Sequence, residues 1–543
     1  MMSLLPNWGF RNTVHATHSK ETVKLPLKPS KISTQSQSQS QPQSQSQSPD
    51  DETNTTTITL ENLINTNVPE LNNNARHNLS PMLPSGVLQN MYVAQIGASS
   101  YTNRFPVLFG RKLYVINDDI LNGLKQSKDA SVNGSERYSH FNAGQFSVDF
   151  ALGFDDHHGV GVGVGVGDKE SQRKFAERAK ETLPHGFPKL HSNARYFEDF
   201  EIDQLFDSWF CEKLTNDCSE SGAGPSDGAG SSDGFKNTTA DNEESLVVVV
   251  PGIGGGINEP QVRSLVYHLL QKGKHVAVIN GRGCCRTPIT TPYLTTALHT
   301  DDLRYLVDSL HLKFPGKPIH LIGFSFGGVL MTNYIVEEAT FRTAETMITS
   351  VTSICKPEDF GTAYHHLDQT FFGRAVFHKA ISFFLMNMIK NNRKVLCHHL
   401  DYCDEDDILR NYQNFKTGAQ VDDKYTCQMA GFPTATAYHF AISPIMKTLK
   451  IKTPMLILNT LDDPFTGSNY PYFDVQRNPY LYMATCDLGG HYCFIQRDGD
   501  FWFSEAVTRF VDAFDHLVDC NGHVDDGGFD PKQTGFRDRV VLY

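Results

Sequence analysis

The chain has 543 residues, of which 39% are apolar and 36 are phenylalanine, so it can bury a sizeable core and exceeds the length of one ordinary domain. Its net charge of -13, without a clustered basic face, argues against nucleic acid as a partner and against simple attraction to anionic lipid. No run of about 20 apolar residues occurs, so we expect no helix that spans a bilayer.

The first residues and the cysteines indicate an intracellular protein. Residues 1–10 lack the basic start, the continuous apolar stretch and the small-residue cleavage site of a secretory signal. The 11 cysteines are scattered, with Cys284 and Cys285 adjacent, and they show no spacing typical of a disulfide framework. We therefore expect a reduced chain inside the cell.

Residues 1–78 are predicted to form an N-terminal segment that is largely of low complexity and disordered. Ser, Gln and Thr dominate residues 34–60, and this composition cannot bury enough apolar surface to offset the entropy of the chain. From Leu79 the composition changes and predicts an ordered stretch.

Residues 79–245 are predicted to be an N-terminal extension of the main domain. Apolar and polar residues alternate over 145–150, which is typical of a β-strand. Residues 155–168 carry a Gly-Val repeat and residues 215–244 are rich in Gly, Ser, Asp and Asn, so both are predicted to be disordered insertions at the surface.

The apolar and mostly β-branched run 246–250 is suited to a strand that is buried on both faces. Helices and strands alternate after it, with helices predicted near 259–271 and 298–312 and strands at 275–280 and 319–322. This alternation predicts an α/β fold with a mainly parallel sheet covered by helices on both faces, and residues 246–350 form the first half of its core.

The alternation stops after Ser350 for roughly 95 residues. Residues 351–445 are aromatic-rich with helical patterns, and they are predicted to be a helical cap inserted into the core. Residues 446–520 complete the core with strands near 454–459 and 481–486 and an amphipathic helix at 502–517. Residues 521–543 are predicted to be a flexible tail.

The run Gly323-Phe324-Ser325-Phe326-Gly327 lies between an apolar strand and a helical pattern. This arrangement is typical of a nucleophile elbow, a turn so tight that glycines on both sides leave Ser325 exposed. On its own a G-x-S-x-G pattern is weak evidence, because a Gly-rich turn can produce it.

A serine hydroxyl needs a base to remove its proton and an acid to orient that base. Each follows a predicted strand: Asp462-Asp463-Pro464 comes after the strand ending near Leu458, and Gly489-Gly490-His491 comes after the strand near Leu481. We predict His491 as the base and Asp463 as the acid, with Asp462 bracing the loop. A simple Asp-Asp-Pro turn and a loop histidine are the alternatives.

Acyl transfer also needs donors for the negative charge that develops on the carbonyl oxygen. We predict the backbone amides of Phe326 and Ile253, with Gly254 as a close second to Ile253. The Gly-rich turn 251–256 could also be a plain flexible turn, whereas a phosphate loop is disfavoured because no Gly-Lys-Ser/Thr ending follows.

Three pairs of adjacent histidines could suggest a metal: His157-His158, His365-His366 and His398-His399. Adjacent residues rarely converge on one ion, and none of the pairs has a Glu or Cys at ligand spacing. We therefore predict no metal and no cofactor.

With these residues assembled, the chain resembles the fungal medium-chain fatty acid ethyl ester synthase/esterase family within the α/β-hydrolases. The resemblance covers most of the chain outside the insertions and lies in residues 8–14, 79–81, 105–107, 258–260, 263–265, 282–284, 289–291, 299–302, 323–338, 431–433, 462–464 and 488–491. It implies an α/β-hydrolase fold and a Ser325, Asp463 and His491 triad.

The resemblance further implies a serine esterase or alcohol acyltransferase that makes and hydrolyses medium-chain fatty acid esters. Its implied partners are acyl-CoA, medium-chain acyl esters and small alcohols, with peripheral contact to a lipid droplet or organelle membrane. One departure is Pro251, because the family usually carries His-Gly where this chain has Pro251-Gly252. A monoacylglycerol lipase, an acyl-CoA thioesterase and a non-catalytic lipid-binding protein remain as alternatives.

Overall fold

The computed structural model describes residues 12–29, 57–126, 128–129, 132–133, 137–138, 140–152, 169–210, 244–341 and 347–530. In these residues the strands are β1 (Asn12–His18), β2 (Lys24–Pro26), β3 (Thr57–Thr59), β4 (Arg76–His77), β5 (Leu108–Ile116), β6 (Lys128–Asp129), β7 (Val132–Asn133), β8 (Gly144–Leu152), β9 (Ala194–Tyr196), β10 (Leu246–Val250), β11 (His275–Asn280), β12 (Ile319–Phe324), β13 (Ser350–Ile354), β14 (Met455–Thr460) and β15 (Leu481–Cys486).

The α-helices of the same residues are α1 (Leu60–Asn67), α2 (Gly86–Arg104), α3 (Asp118–Gln126), α4 (Lys169–Glu181), α5 (Asp199–Ser208), α6 (Pro260–Gln271), α7 (Asp301–Lys313), α8 (Phe326–Phe341), α9 (Phe360–Gln369), α10 (His378–His399), α11 (Glu405–Asn411), α12 (Gly418–Val421), α13 (Cys427–Met429), α14 (Ala435–Ile442), α15 (Tyr472–Val475) and α16 (Trp502–Leu517). Among these helices, none combines the length and the apolar character that crossing a bilayer requires. The expected contact with a lipid surface stays a prediction.

One large sheet organises the protein, with strand order β4-β1-β15-β14-β13-β12-β10-β11-β8-β5-β9. The strands from β15 to β11 in this order all run parallel. Successive side chains of a strand point to opposite faces. In β10, Val247 and Val249 therefore enter one apolar core while Val248 and Val250 enter another. The predicted mainly parallel sheet with helices packed on both faces is confirmed.

The N-terminal segment belongs to this sheet, so the prediction that residues 1–78 are largely disordered is wrong for the parts that the structure describes. Strand β1 pairs antiparallel with β15 in the large sheet, and β2 and β3 form a separate two-stranded sheet. The predicted disordered stretch 34–60 also ends too late, because α1 begins at Leu60 and buries that side chain completely. A few well-spaced apolar residues hold this segment against the core. The prediction missed them because the overall composition of the segment is polar. Residues 30–56 lie outside the described residues.

The extension 79–245 continues the same sheet. Strand β8 confirms the strand predicted from the alternation at 145–150, and it joins β11 to β5, which in turn pairs with β9. The predicted insertions 155–168 and 215–244 fall outside the described residues, apart from Glu244, which lies two residues before β10.

The cap consists of helices α9 to α14, which lie between β13 and β14 in the chain. Its apolar residues, among them Leu385, Ile389 and Tyr425, pack in one cluster with Leu294 of the loop after β11. The predicted cap boundary at residue 351 is wrong, because β13 is a central strand of the sheet. The sequence Ser-Val-Thr-Ser-Ile of β13 contains too many hydroxyl side chains to read as a buried apolar strand.

The prediction of a flexible tail over 521–543 is also wrong for its described part. Lys24 and Asp525 exchange backbone hydrogen bonds of 2.8 and 3.0 Å, and the hydroxyl of Tyr480 donates to Asp526 at 2.9 Å. The Gly- and Asp-rich composition concealed these contacts, which depend on partners distant in sequence. Residues 531–543 lie outside the described residues.

A buried ion pair joins two strands of the extension, accepts a hydrogen bond from the core strand β11, and gives a stability prediction. Arg111 on β5 makes two hydrogen bonds of 2.6 Å with Asp149 on β8, which also accepts one of 2.8 Å from Asn280. The side chains of Arg111 and Asp149 are only 3% and 0% exposed. Asp149→Ala leaves the guanidinium buried without its partner, so we expect a loss of about 3–5 kcal/mol in the free energy of unfolding, measured with urea.

The matched control for this prediction is the double variant Arg111→Met/Asp149→Leu, which replaces both charges with apolar groups. We expect it to regain most of the lost stability, because no unpaired charge remains. Equal stability of the single variant and the wild-type protein would contradict the assignment.

Candidate active site

Ser325 lies on the tight turn between β12 and α8, where its backbone adopts the left-handed conformation with φ of 48°. Neighbouring backbone comes so close that only glycine fits on either side. A Cβ atom at Gly327 would lie 2.1 Å from the carbonyl oxygen of Val250, and one at Gly323 would lie 2.7 Å from Cα of Gly328. The two glycines of the predicted elbow are therefore steric requirements of the turn.

We expect alanine substitutions at the adjacent residues Gly327 and Gly328 to differ in their effects on stability and activity. Gly327→Ala would place its methyl group against backbone carbonyl oxygens, whereas Gly328→Ala would meet Cβ of Lys356 at 2.9 Å. We expect Gly327→Ala to cost about 3 kcal/mol or more and to abolish ester hydrolysis, and Gly328→Ala to cost about 1 kcal/mol. Thermal unfolding and an ester assay on both variants test this, and equal melting temperatures would contradict it.

The structure brings the three residues predicted for catalysis into one hydrogen-bonded chain. Nε2 of His491 lies 2.7 Å from Oγ of Ser325, and Nδ1 lies 2.7 Å from Oδ2 of Asp463. An ionised carboxylate only accepts hydrogen bonds, so Nδ1 is the donor and Nε2 is left to accept the serine proton. Asp463 and His491 are buried, which strengthens these contacts by excluding water.

The second oxygen of Asp463 is held by its own loop. Oδ1 accepts hydrogen bonds from the amides of Phe465 at 2.8 Å and Thr466 at 3.1 Å. The ring of Phe465 also packs on the imidazole of His491, with 4.7 Å between ring centroids. The carboxylate is therefore fixed in the orientation that presents Oδ2 to the histidine.

Asp462 braces the histidine loop, as predicted. Oδ1 accepts from the amides of Gly489 and Gly490, both at 2.9 Å, and Oδ2 accepts from the amide of Gly86 at 2.6 Å. Burial raises the pKa of Asp462 to about 6, although these backbone amides oppose the shift. The two adjacent aspartates thus have separate positions, one facing the imidazole and one holding the backbone before it.

Asn90 on α2 is a residue of this site that the sequence analysis missed. Its Oδ1 accepts from the amide of His491 at 2.9 Å, and its Nδ2 donates to the carbonyl oxygen of His491 at 3.2 Å. No local pattern distinguishes this asparagine, because its partner lies 401 residues away in the chain. The N-terminal extension therefore fixes the backbone of the histidine directly.

Ile253 and Phe326, the predicted oxyanion donors, line the same cavity as Ser325 and His491. Phe326 is the first residue of α8, and the first amides of a helix have no partner within the helix, so they favour an anion. The turn that carries Ile253 is closed by a hydrogen bond of 3.0 Å from the amide of Gly255 to Gly252. Pro251 has no amide hydrogen to offer.

The cavity in front of Ser325 has a volume of about 170 Å³ and lies between the sheet and the cap. Most of its apolar lining comes from the cap helices and includes Phe360, Ala363, Leu367, Ile381, Phe384, Leu385, Met388 and Ile442. Such a lining suits an alkyl chain whose carbonyl group reaches the serine.

The histidine pairs fall in different parts of the protein. His365-His366 lie on α9 and His398-His399 at the end of α10, whereas His157-His158 lie outside the described residues. Within the described part of the chain, no group of three or more His, Cys, Asp or Glu side chains is placed to share a metal ion.

Comparison with known proteins relates the chain to esterases and lipases. Residues 245–498 match the family model described as the alpha/beta hydrolase fold. The chain is 27% identical over 528 residues to Medium-chain fatty acid ethyl ester synthase/esterase 2 of Saccharomyces cerevisiae, covering 94% of this chain and 97% of that protein. It is 30% identical over 308 residues to Monoacylglycerol lipase of the same organism, covering 55% of this chain and 67% of that protein. The resemblance stated from the sequence motifs is thereby confirmed.

Proposed function

The chain belongs to the α/β-hydrolase family, and on that premise we propose that it is a serine esterase that works through an acyl-enzyme. The observation that carries the proposal is the hydrogen-bonded chain from Ser325 through His491 to Asp463 at the mouth of an apolar cavity. An alcohol nucleophile, a base and an orienting acid are the groups that acyl transfer requires.

In the proposed mechanism, Ser325 attacks the acyl carbonyl while Nε2 of His491 takes its proton. Asp463 holds the imidazole and stabilises its charged form. The amides of Ile253 and Phe326 donate hydrogen bonds to the oxyanion, and His491 then returns the proton to the leaving alcohol or thiol. An acyl group is left on Ser325, and no cofactor takes part.

The second half-reaction decides between hydrolysis and ester synthesis. Water as the acceptor gives a fatty acid, whereas an alcohol such as ethanol gives a new ester. We propose medium-chain acyl groups and both outcomes, with acyl-CoA as a candidate acyl donor. The yeast relative named as an ethyl ester synthase/esterase, which aligns over 94% of this chain, and the apolar cap residues that line the cavity support this choice.

Monoacylglycerol hydrolysis is the second candidate. A relative of that name aligns at 30% identity, and the same triad would serve a glycerol ester. The two functions differ in the alcohol portion of the substrate, whereas the acyl cavity and the serine chemistry are shared.

The proposal is tested with purified protein and three octanoyl substrates: octanoyl-CoA with and without ethanol, ethyl octanoate, and monooctanoylglycerol. Ethyl octanoate formed from octanoyl-CoA and ethanol would support ester synthesis. Release of octanoate alone from octanoyl-CoA would indicate a thioesterase, and turnover of monooctanoylglycerol alone would indicate a lipase. Absence of turnover of all three would contradict the proposed function.

A further inference from the structure

A second and larger cavity opens on the other side of the catalytic histidine. It has a volume of about 560 Å³ and lies between α2, the start of α10 and the chain near Leu190 and Ala194. It shares a wall with the acyl cavity, formed by Glu259, Phe384, Phe465, His491 and Tyr492. An ester held with its acyl chain in the smaller cavity would extend its alcohol portion into this second one.

Glu259 lines both cavities, and its side chain does not stabilise the helix that it precedes. It precedes α6 as the N-cap residue, yet its side chain makes no capping hydrogen bond. Its Oε2 is shut off from solvent, and among the described residues no group hydrogen-bonds to it. The carboxyl group packs against Gly255, where an added Cβ atom would lie 2.1 Å from Oε1.

A buried polar atom without a partner is costly and rare in native proteins, so it calls for an explanation. The two arginines that line the second cavity are engaged elsewhere, since Arg111 pairs with Asp149 and Arg286 donates to the carbonyl oxygen of Lys189. Burial raises the pKa of Glu259 to about 8, so the carboxyl group is largely protonated at neutral pH and can donate a hydrogen bond.

We propose that Glu259 is a specificity-determining residue that hydrogen-bonds a free hydroxyl group of the alcohol portion of the substrate. The enzyme would then prefer monoesters of a polyol such as glycerol over alkyl esters with the same acyl chain. This inference rests on the proposed function, and it deepens that function by selecting among its alcohol partners.

The size and chemistry of the second cavity support this selection. A volume of about 560 Å³ is far larger than an ethyl group needs. With an ethyl ester, the carboxyl group of Glu259 keeps no partner, whereas a glycerol ester brings a hydroxyl group to it. A site that is built to hydrogen-bond a hydroxyl group discriminates against the analogue without one, because the buried polar group of the protein is then left unpaired.

The test compares kcat/KM for monooctanoylglycerol and ethyl octanoate, which share one acyl chain. We expect Glu259→Leu to lower the value for the glycerol ester by about tenfold to a hundredfold and to leave ethyl octanoate within about twofold. Glu259→Gln keeps a donor, so it should retain most of the preference. Glu505→Leu, an exposed position on α16 that lines neither cavity, is the matched control and should leave the ratio unchanged.

Three outcomes would overturn the inference: equal losses on both esters in Glu259→Leu, no change on either ester, or the same ratio in the Gln and Leu variants. Ser325→Ala separates these from a failure of the proposed function. If Ser325→Ala still turns over both esters, the proposed function is wrong. If turnover requires Ser325 but the ratio of kcat/KM for the two esters is the same in the wild-type protein and the Glu259 variants, only the assignment of Glu259 is wrong.

The pH dependence of the ratio of kcat/KM for the two esters tests the same inference. In the wild-type protein this measurement needs no substitution that could impair folding. Above about pH 8 the carboxyl group loses its proton and accepts a stronger hydrogen bond from the substrate hydroxyl group, so the preference for the glycerol ester should rise with pH in the wild-type protein and stay constant in Glu259→Gln. The other ionisable groups facing the two cavities are Arg111, His191, Cys285, Arg286, Tyr364, Asp422, Tyr438, His491 and Tyr492. Glu259→Gln retains all of them, so identical profiles in the two proteins would overturn the inference.

Discussion

Ser325→Ala is expected to lower kcat for ethyl octanoate by about 10⁴-fold or more, because no other group takes over the attack on the carbonyl carbon. The substitution removes one oxygen atom from an elbow that glycines hold open, so the melting temperature should change little. Steady-state kinetics and thermal unfolding of the same preparation provide the two measurements.

Ser353→Ala is the matched control for this substitution. Ser353 lies on the neighbouring strand β13, is fully buried, and its hydroxyl group has no hydrogen-bond partner among the described residues. We expect the control to keep most of the activity of the wild-type protein. A Ser325→Ala protein with more than about a hundredth of the wild-type kcat would contradict the assigned nucleophile.

The adjacent aspartates allow a second test with a large expected effect. Asp463→Asn should lower kcat by about 10⁴-fold, because an amide cannot hold the imidazole in the required tautomer or stabilise its charge. Asp462→Asn should lower kcat by less than about tenfold, because its carboxylate contacts only backbone amides.

The two aspartate variants should also differ in stability, in the opposite order. Asp462→Asn places an amide group where three backbone donors converge, so we expect a loss of about 1–3 kcal/mol in the free energy of unfolding. Asp463→Asn keeps Oδ1 as an acceptor for its own loop and should lose less. If the Asp462 variant is the less active one, the two residues have been assigned the wrong way round.

The residues of the candidate site were predictable because each follows a strand with a strong local pattern. The Gly-x-Ser-x-Gly turn, the Asp-Asp-Pro loop and the Gly-Gly-His loop all come directly after apolar runs that the structure confirms as β12, β14 and β15. In a parallel sheet such strands end at the same edge. Local signals and one topological rule were therefore sufficient to bring Ser325, Asp463 and His491 together.

The parts that could not be predicted depend on partners distant in sequence. The pairing of Val14 with Cys486 brings the N-terminal strand β1 beside β15. The residues that flank β1 in the sequence are polar, so they do not predict this pairing. Asn90 reaches the backbone of His491 from α2, although an asparagine on a helix has no distinctive pattern. Strand β13 was missed because its hydroxyl side chains are unlike those of the other central strands.

The acyl-enzyme on Ser325 is the central claim, and covalent labelling tests it most directly. An alkyl fluorophosphonate transfers its phosphonyl group to an activated serine oxygen and releases fluoride. Intact-mass and peptide mass spectrometry should find one adduct per chain, on Ser325, with slower labelling in Asp463→Asn and none in Ser325→Ala. A stoichiometric adduct on another residue, or labelling of Ser325→Ala at the wild-type rate, would contradict the claim.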